Sequence, residues 1–545
     1  MDRRLMERVS SHTRSIRGVS CALAATLAAL AMVLAAAPSA RAGTTMLSLM
    51  MDDDLLLYRT PEVRAATLDA MKALGADGVR VTVSWKFVAG DARRQPARLR
   101  GRRAADPRNY RPDIWDRLDS LLEMAQDRGM VVLFNPSGPG PSWAHPRAPF
   151  SHRFDQPAWK PRVGAFFNFV KALGTRYSGF YPDENDGQRL LPRVVVWSIW
   201  NEPDQPASLA PQIDYSPVVH HQIPMAPVLY RELYYAGTAA LSATGHGGDT
   251  ILMGETAPLG AIRNAPRVHL WPKLFLREMF CVRPSGRRYT GREARARSCG
   301  ELRRPFLVSG FAHHPYTQKK APGVRDRYRD SINMANIGEL PALLDRLAAI
   351  THLIPAGLPV WLTEAGYETF PPDPTRGVSL QRQADYINRS EFLAYDQPRV
   401  VADTQFIFRD VLPVARYRGR RNRLSQYWAT WQSGLFFANG TPKPALAAYA
   451  LPLDILIKGG PTPDGGRDLR VWGQLRFLPN GQTGQVGFQF RPRGSNDWFD
   501  VGGPVTVTNP SGFFDLTLHA GAPGTWRAVS GGGDIHVSRE VPVSF

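Results

Sequence analysis

The stretch VVVWSIWNEPDQP, residues 194–206, decides how the rest of this 545-residue chain is interpreted. Its first half is a run of β-branched and aromatic residues, which is typical of a buried strand. The run ends in Asn201, Glu202 and Pro203, and a proline cannot continue the hydrogen-bond ladder of a central strand. Carboxylates are rarely buried unless they are paired. We therefore expect Glu202 to face a site at the end of this strand.

Seven further apolar runs occur along the chain, separated by amphipathic segments such as 60–76 and 113–129, whose apolar residues recur at steps of three and four. The eight predicted strands are 45–51, 78–85, 130–136, 193–200, 249–255, 306–314, 358–364 and 404–410. Strands that alternate with helices over this length predict an α/β fold, a (β/α)8 TIM barrel. No Gly-x-Gly-x-x-Gly turn follows the first strand, which argues against a dinucleotide-binding sheet.

The composition changes after Leu453, where GGPTPDGG (459–466) leads into short alternating strands separated by Gly, Pro and Asn. This pattern predicts a small antiparallel β-sandwich at 467–545, joined by a linker at 453–466 to a barrel at 43–452. Trp472, Trp498 or Trp526 of the sandwich could bind glycan. We favour the alternative, in which the sandwich only covers an apolar side of the barrel.

The amino end has the pattern of a secretory signal peptide. Five arginines precede the apolar run CALAATLAALAMVLAAA (21–37), and the small-residue exit PSARA follows it. We predict cleavage after Ala42, so that residues 1–42 are removed and the protein is secreted. The alternative is an N-terminal membrane anchor, because the apolar run is close to spanning length.

Cysteine usage agrees with export. After removal of the signal, only Cys281 and Cys299 remain, and we expect a disulfide between them in an oxidising compartment. A metal site is not expected, because two thiols without nearby His or Asp ligands cannot complete a tetrahedron. We also expect no cofactor.

The chain is strongly basic, with a formal net charge of +19, much of it in the runs RRQPARLRGRR (93–103) and RYRGRRNR (416–423). Such runs can attract nucleic acid or acidic glycans. We interpret them instead as solvated surface, and expect no nucleic-acid partner, no membrane partner after signal cleavage, and a monomer. Binding to a polyanion would weaken steeply as salt rises.

Two carboxylates end predicted strands that lie opposite each other in a barrel, Glu202 after the fourth and Glu364 at the end of the seventh. The carboxyl ends of barrel strands meet at one mouth. A pair of carboxylates there is what hydrolysis of a glycosidic bond requires, because one protonates the leaving oxygen and the other attacks the anomeric carbon or activates water.

The sequence resembles the clan-A glycoside hydrolases, and most closely the secreted bacterial branch of cellulases and β-xylosidases. The resemblance covers residues 45–449. It rests on WNEP (200–203), WLTEAGY (361–367), HHPY (313–316), Arg80 in the second strand, GPSWA (140–144) and the closing GLFFANGTPKPALAAY (434–449). It implies a retaining enzyme with Glu202 as the acid/base and Glu364 as the nucleophile.

The resemblance also implies roles for the neighbouring residues. Asn201 would hydrogen-bond the sugar 2-hydroxyl, and Tyr316 and Arg80 would hold Glu364 ionised. His314 would contact the substrate or the acid pair. Sugar rings would stack on Trp143 and on one of Trp428 and Trp431.

Some residues depart from the motif or compete with it. The eighth predicted strand carries Phe406 and Phe408 where relatives often have a Trp, and Asn135 stands where they often have a His or a polar aromatic. Glu255 ends the fifth strand and is a candidate substrate-binding acid or substitute nucleophile. The acids 52–54 are interpreted as turn residues with one sugar contact.

The expected function is cleavage of O-glycosidic bonds in a poly- or oligosaccharide by double displacement. Two alternatives stay open. One is a non-catalytic carbohydrate-binding or adhesive protein on the same barrel. The other is a transglycosylase, in which a sugar accepts the intermediate in place of water.

Overall fold

The computed structural model describes residues 45–187, 189–261, 268–531 and 535–545. The predicted signal peptide, 1–42, lies outside the described residues. None of the helices in the described part of the chain is both long enough and apolar enough to cross a membrane. The α-helices, α1 to α12, are Asp53–Leu57, Pro61–Ala73, Trp85–Ala89, Pro112–Asp127, Val163–Arg176, Ala226–Ser242, Pro272–Met279, Gly291–Ala296, Glu339–Thr351, Leu380–Tyr395, Leu424–Tyr427 and Pro444–Ala450.

Eight parallel strands close into a barrel in sequence order, and the first pairs with the last, Leu49 lying opposite Thr404. This confirms the predicted (β/α)8 fold. The strands β1 to β8 are Leu47–Met51, Gly78–Ser84, Val131–Ser137, Val196–Ser198, Thr250–Thr256, Gly310–His313, Val360–Ala365 and Val400–Phe406.

The barrel lumen is apolar at one end and polar at the other. Seven side chains fill the amino-end layer: Leu49, Leu133, Val196, Leu252, Ala312, Trp361 and Ala402. Successive side chains of a strand point to opposite faces, so the residue two positions further on returns to the lumen. On five strands that position holds a fully buried polar residue: Asn135, Ser198, His314, Thr363 and Thr404. The change from apolar to polar along the same strands places the site at their carboxyl ends.

Two predicted strands differ from the observed ones. β4 spans only Val196–Ser198, because Trp200 adopts a left-handed backbone with φ 71° and ends the pairing. β8 spans Val400–Phe406 where the prediction was 404–410. Asp403 interrupts the apolar run and delayed the predicted start of the strand, but it lies on the outer face of the barrel.

Nine strands, β9 to β17, follow the barrel: Leu453–Lys458, Arg467–Gln474, Gly484–Pro492, Phe499–Asp500, Val505–Val507, Phe513–Ala520, Gly524–Gly531, Ile535–Val537 and Val541–Val543. They form two antiparallel sheets, β9-β10-β14 and a six-stranded sheet around β11 and β15, as the β-sandwich prediction required. The prediction of a linker over 453–466 is wrong for its first half, which forms strand β9.

The sandwich packs on helix α10 of the barrel. Trp472 is fully buried against Phe392 and Tyr395, with ring centroids 5.7 and 5.5 Å away. Trp526 is also buried, inside the sandwich. Neither indole presents a face to glycan, so both serve packing.

The predicted disulfide is present. Cys281 and Cys299 are bonded, with their Cα atoms 5.9 Å apart, a normal separation for this bond. It closes the segment that follows α7 and contains α8.

Candidate active site

Glu255 is the centre of the polar layer. Its side chain is fully buried; one carboxylate oxygen accepts hydrogen bonds from Arg80 at 2.8 Å, His314 at 2.7 Å and Thr363 at 3.0 Å, while Ser198 donates to the other. Burial would raise the pKa of this carboxyl, but the charge of Arg80 and the His314 hydrogen bond outweigh burial and lower the pKa to about 2. Glu255 is therefore a fixed negative charge. The predicted role in substrate binding, or as a substitute nucleophile, is wrong because no substrate can reach it.

His314 bridges this buried charge to the mouth. Its Nε2 bonds Glu255 at 2.7 Å and its Nδ1 bonds Glu202 at 3.0 Å. Burial lowers the pKa of the imidazole, but Glu364, Glu202 and Glu255 together raise the pKa to about 10. Both nitrogens then donate, and His314 is an imidazolium at neutral pH.

The two predicted catalytic carboxylates meet at the barrel mouth. An oxygen of Glu202, an oxygen of Glu364 and a nitrogen of His314 lie within 4.8 Å of one another. Donor atoms at this spacing are of the kind that bind divalent metals, but both ring nitrogens of His314 already contact carboxylates, Glu202 at 3.0 Å and Glu255 at 2.7 Å.

Glu364 is held from two sides. Tyr316 donates to one carboxylate oxygen at 3.0 Å and Arg80 contacts the other at 3.0 Å, as predicted. Burial nevertheless raises the pKa of Glu364, and the charges of His314 and Arg80 only oppose that rise. The Glu202 side chain is more open, with 27% of its surface exposed against 10% for Glu364. The mouth therefore has one buried carboxylate and one that solvent reaches.

Irregular backbone turns these acids into the lumen. The pairing of β5 with β6 gains one extra residue between Gly254 and Thr256, and the pairing of β7 with β8 gains one around Glu364. Each bulge reverses the facing of the next side chain, so an acid that would point outward points inward. Glu255 and Glu202 also have positive φ, 52° and 41°. Strained backbone of this kind costs about 1–3 kcal/mol per residue and clusters at functional sites.

Two asparagines shape the loop after β4. Asn201 accepts a hydrogen bond from Arg80 at 2.7 Å through its side-chain oxygen. Asn135 is fully buried and donates to the carbonyl oxygens of Ser198 and Trp200. Asn135 therefore positions the loop that carries Glu202. Asn135 stands where relatives often have a His or a polar aromatic residue, but it is fully buried and does not line the mouth.

The loop after β3 covers Trp200. A Cβ atom on Gly138 would lie 2.2 Å from the Trp200 indole, and one on Gly140 would lie 2.5 Å from Trp85. Only glycine allows this approach. The same loop carries Trp143, which is 6% exposed and packs edge-on against Trp85 at 6.2 Å. Trp143 was predicted to stack on sugar rings, but it is buried and cannot present its ring face to a ligand.

The other two residues predicted to stack on sugar rings, Trp431 and Trp428, have different surroundings. Trp431 is 47% exposed and lies edge-on to Phe406 at 5.3 Å, and Phe406 in turn contacts Tyr316, 6.2 Å away. Trp431 thus belongs to the same wall as Glu364. Trp428 packs against Tyr427 at 5.0 Å instead.

The acids after β1 are mainly structural. Asp52 caps α1 through the N–H of Leu55, and Asp54 pairs with Arg59 at 2.7 Å. Asp53 accepts the Thr82 N–H at 3.1 Å, and burial raises its pKa to about 6.

Three buried polar residues were missed from the sequence. Ser198 and Thr363 bond Glu255, and both are polar residues at lumen-facing positions of otherwise apolar strands, which was the available signal. Asp204 follows WNEP and accepts the N–H of Ala257 at 3.0 Å. Burial raises the pKa of Asp204 well above its usual range, and its hydrogen bond to Ala257 links the loops after β4 and β5.

No protein-family model matches this chain, and no curated protein matches it. Among solved structures it is similar to a family 39 glycoside hydrolase of Bacteroides cellulosilyticus WH2, at 13% identity and a TM-score of 0.45, over 89% of this chain and 81% of the other. A GH5_18 protein of Streptomyces cattleya in complex with GlcNAc matches at 17% and 0.43, over 74% and 78%. The exo-β-1,4-mannosidase Op5Man5 of an Opitutaceae bacterium (strain TAV5) matches at 15% and 0.39, over 74% of this chain but 58% of its own length. All three TM-scores are below 0.5, and the barrel rests on the strand pairing of this chain itself.

Proposed function

We propose that this protein is a retaining glycoside hydrolase that cleaves O-glycosidic bonds of a poly- or oligosaccharide. One observation carries the proposal: carboxylate oxygens of Glu202 and Glu364 lie within 4.8 Å of each other at the open end of the lumen. Retaining enzymes hold the two carboxyl groups about 5–5.5 Å apart, whereas inverting enzymes need about 6.5–9.5 Å to admit a water molecule. The close spacing supports attack by a carboxylate.

In the first step, Glu364 attacks the anomeric carbon while Glu202 gives its proton to the departing glycosidic oxygen. The bond to the leaving sugar breaks and a covalent glycosyl–Glu364 ester forms. Tyr316 and Arg80, each 3.0 Å from a Glu364 oxygen, orient the nucleophile and favour its ionised form.

In the second step, Glu202, now a carboxylate, takes a proton from water. The oxygen of that water attacks the same carbon, and Glu364 leaves in its original form. Two inversions at one carbon retain the configuration. The more exposed position of Glu202 suits this role, because it must exchange its proton with the solvent side of the site.

His314 and Asn201 support both steps. The His314 imidazolium lies between Glu202 and Glu364, 3.0 and 3.6 Å from their oxygens, and reduces the repulsion between them. The side-chain amide of Asn201 would donate to a sugar 2-hydroxyl, a contact that strengthens in the transition state.

Export remains part of the proposal. A signal peptide at 1–42 with cleavage after Ala42 would deliver the barrel and the sandwich to an oxidising compartment, where Cys281 and Cys299 can pair. Amino-terminal sequencing of the mature protein from the culture medium tests this, and a product that begins at Met1 would contradict it.

A screen of aryl glycosides and polysaccharides tests the activity, with the Glu364→Gln variant as the blank. For the substrate turned over, ¹H NMR of the first product formed gives its anomeric configuration. Retention supports double displacement, and inversion overturns it. Sugar transfer products at high acceptor concentration would indicate a transglycosylase. Glycan binding without turnover by the unmodified protein would indicate a binding protein on this barrel.

A further inference from the structure

A second cleft, of about 710 Å³, lies among α7, the loop at 282–286 that follows it, the segment 325–330 and helix α9. It is separate from the catalytic carboxylates, none of which lines it. Six cationic side chains line it: Lys273, Arg277, Arg283, Arg325, Arg329 and Arg346. Three carboxylates accompany them, those of Asp326, Asp330 and Glu339.

The carboxylates of this cleft already have cationic partners. Glu339 is paired with both Lys273 and Arg325, and Asp330 receives a two-pronged contact from Arg277 at 2.8 and 3.1 Å. Asp326 pairs with Lys320, which lies outside the cleft lining, at 2.9 Å. The acids are therefore neutralised before any ligand arrives.

Three arginines are left over. Within the described parts of the chain, no carboxylate oxygen pairs with Arg283, Arg329 or Arg346. Arg283 is partly buried, and its Nε has no hydrogen-bond partner among the described residues although that atom is shielded from solvent. An anion in the cleft would not reach that shielded atom, but it would accept hydrogen bonds from the terminal nitrogens of the guanidinium, which have no carboxylate partner among the described residues.

The position of Arg283 is fixed by its surroundings. It stands two residues after the disulfide-bonded Cys281, and its guanidinium lies 5.2 Å from the ring of Tyr289. A site braced by a covalent bond and a ring contact loses little freedom when it binds. Tyr328 also lines the cleft and is 44% exposed. It stacks obliquely on Trp271, with centroids 4.3 Å apart, and the guanidinium of Arg327 lies 4.8 Å from its ring centroid.

We propose that this cleft binds the carboxylate or sulfate groups of an anionic polysaccharide. The choice of a glycan rests on the proposed function. Arg283 and Arg346 would hold the anionic groups, and the exposed part of Tyr328 would contact the polymer. The cleft would hold an acidic polymer on the surface of the barrel, and on this proposal the substrate class of the enzyme is an acidic glycan.

The test is binding without turnover, on full-length protein carrying Glu364→Gln. Polygalacturonate, dextran sulfate and neutral dextran are titrated calorimetrically at low salt. The variant Arg283→Gln/Arg346→Gln is compared with Arg418→Gln/Arg420→Gln, which removes the same charge from the exposed loop after β8. We expect the first pair to weaken binding of an acidic polymer roughly ten-fold or more, and the control pair to weaken it at most about two-fold.

Equal weakening by both pairs would overturn the proposal, because it would show general attraction to a basic surface. So would equal affinity for neutral dextran, or tighter binding of a single-stranded DNA oligonucleotide than of either acidic glycan. Preference between polygalacturonate and dextran sulfate identifies carboxylate or sulfate as the anion. Turnover of an aryl glycoside by Arg283→Gln/Arg346→Gln in the otherwise unmodified chain should be unchanged. Since binding is measured on an inactive variant, failure of the proposed chemistry would not be confused with failure of the cleft.

Discussion

Arg80 and Arg476 are both buried against carboxylates, and they differ in what surrounds them. Arg80 lies inside the barrel between Glu255 and Glu364, at 2.8 and 3.0 Å. Arg476 lies outside the barrel, where the sandwich meets α10, and contacts Glu391 at 2.9 Å. Both guanidiniums are almost completely hidden from solvent.

The two arginines differ in the hydrogen-bond partners of their other guanidinium nitrogens. Arg476 also bonds Gln474 and the carbonyl oxygen of Tyr449, and its guanidinium covers the Tyr449 ring at 4.1 Å. Arg80 contacts an acid at the open mouth and has an Nε without a partner among the described residues. A sealed, satisfied ion pair holds two parts of the fold together. The corresponding pair at the mouth holds Glu364, a carboxylate with 10% of its side chain exposed, which is the proposed nucleophile.

The two arginines should respond differently when their partner acids, Glu364 and Glu391, are replaced by neutral amides. We expect Glu364→Gln to lower kcat/KM by at least about 10³-fold, because an amide cannot form the covalent intermediate. Its melting temperature should change little, because Arg80 keeps its other carboxylate partner, Glu255. Glu391→Gln should keep its activity and lose stability, because it removes the carboxylate that pairs with the buried Arg476. Initial rates and calorimetric melting of both variants check this, and a matching loss of activity in Glu391→Gln would contradict it.

Removing the sealed arginine should affect folding alone. We expect Arg476→Met to lower the free energy of unfolding by about 3–5 kcal/mol, because Glu391 stays buried without its partner. Turnover per folded molecule should be unchanged. The double variant Arg476→Met/Glu391→Leu should recover much of the loss, as urea unfolding would show. A double variant less stable than the single one would mean that the ion pair itself, and not the stranded charge, carries the stability.

The mouth should also give the stability of the protein a pH dependence of its own. The pKa of His314 is raised to about 10 from an ordinary 6.5, so its contribution is complete below pH 6.5 and is lost as pH rises toward 10. We expect His314→Asn to flatten the fall in stability across that interval. His313→Asn is the matched control, because the pKa of His313 is lowered to about 3 and it stays neutral throughout. Urea unfolding from pH 6.5 to 9.5 measures this, and parallel curves for the unmodified protein and His314→Asn would refute it.

The smallest expected effect concerns the open side of the mouth. Trp431→Ala should raise KM about five-fold, close to 1 kcal/mol, with little change in kcat, because a stacking face for a sugar ring is lost. Trp428→Ala is the control and should leave KM unchanged. Equal effects of the two substitutions would show that neither ring contacts the substrate directly.

The barrel could be predicted because the alternation of an apolar strand with an amphipathic helix recurs along the chain. An error in the bounds of one strand does not change the number of predicted strands, which is eight. β8 was shifted because Asp403 looks like the end of an apolar run, while its side chain lies outside the lumen near Glu391, and burial raises its pKa to about 7. Local pattern cannot distinguish a carboxylate buried on the outer face from one in a loop.

The site was only partly predictable for a related reason. Glu202, Glu364, Tyr316 and Arg80 converge as their motif context indicated. Simple alternation along β5 would direct Glu255 outward, and only the bulge beside Gly254 brings it under His314. A bulge depends on the register of the neighbouring strand, which a single sequence does not specify.

The turn before β2 limits how this protein can be recombined. Gly75 has φ 84°, and a Cβ atom on it would lie 1.8 Å from the carbonyl oxygen of Arg476. The backbone of the sandwich therefore rests directly on the barrel, with no room for a side chain between them. Replacing the barrel or the sandwich by a domain from another protein would therefore require the surface that faces it to be replaced as well. We expect the two domains to be exchanged only together.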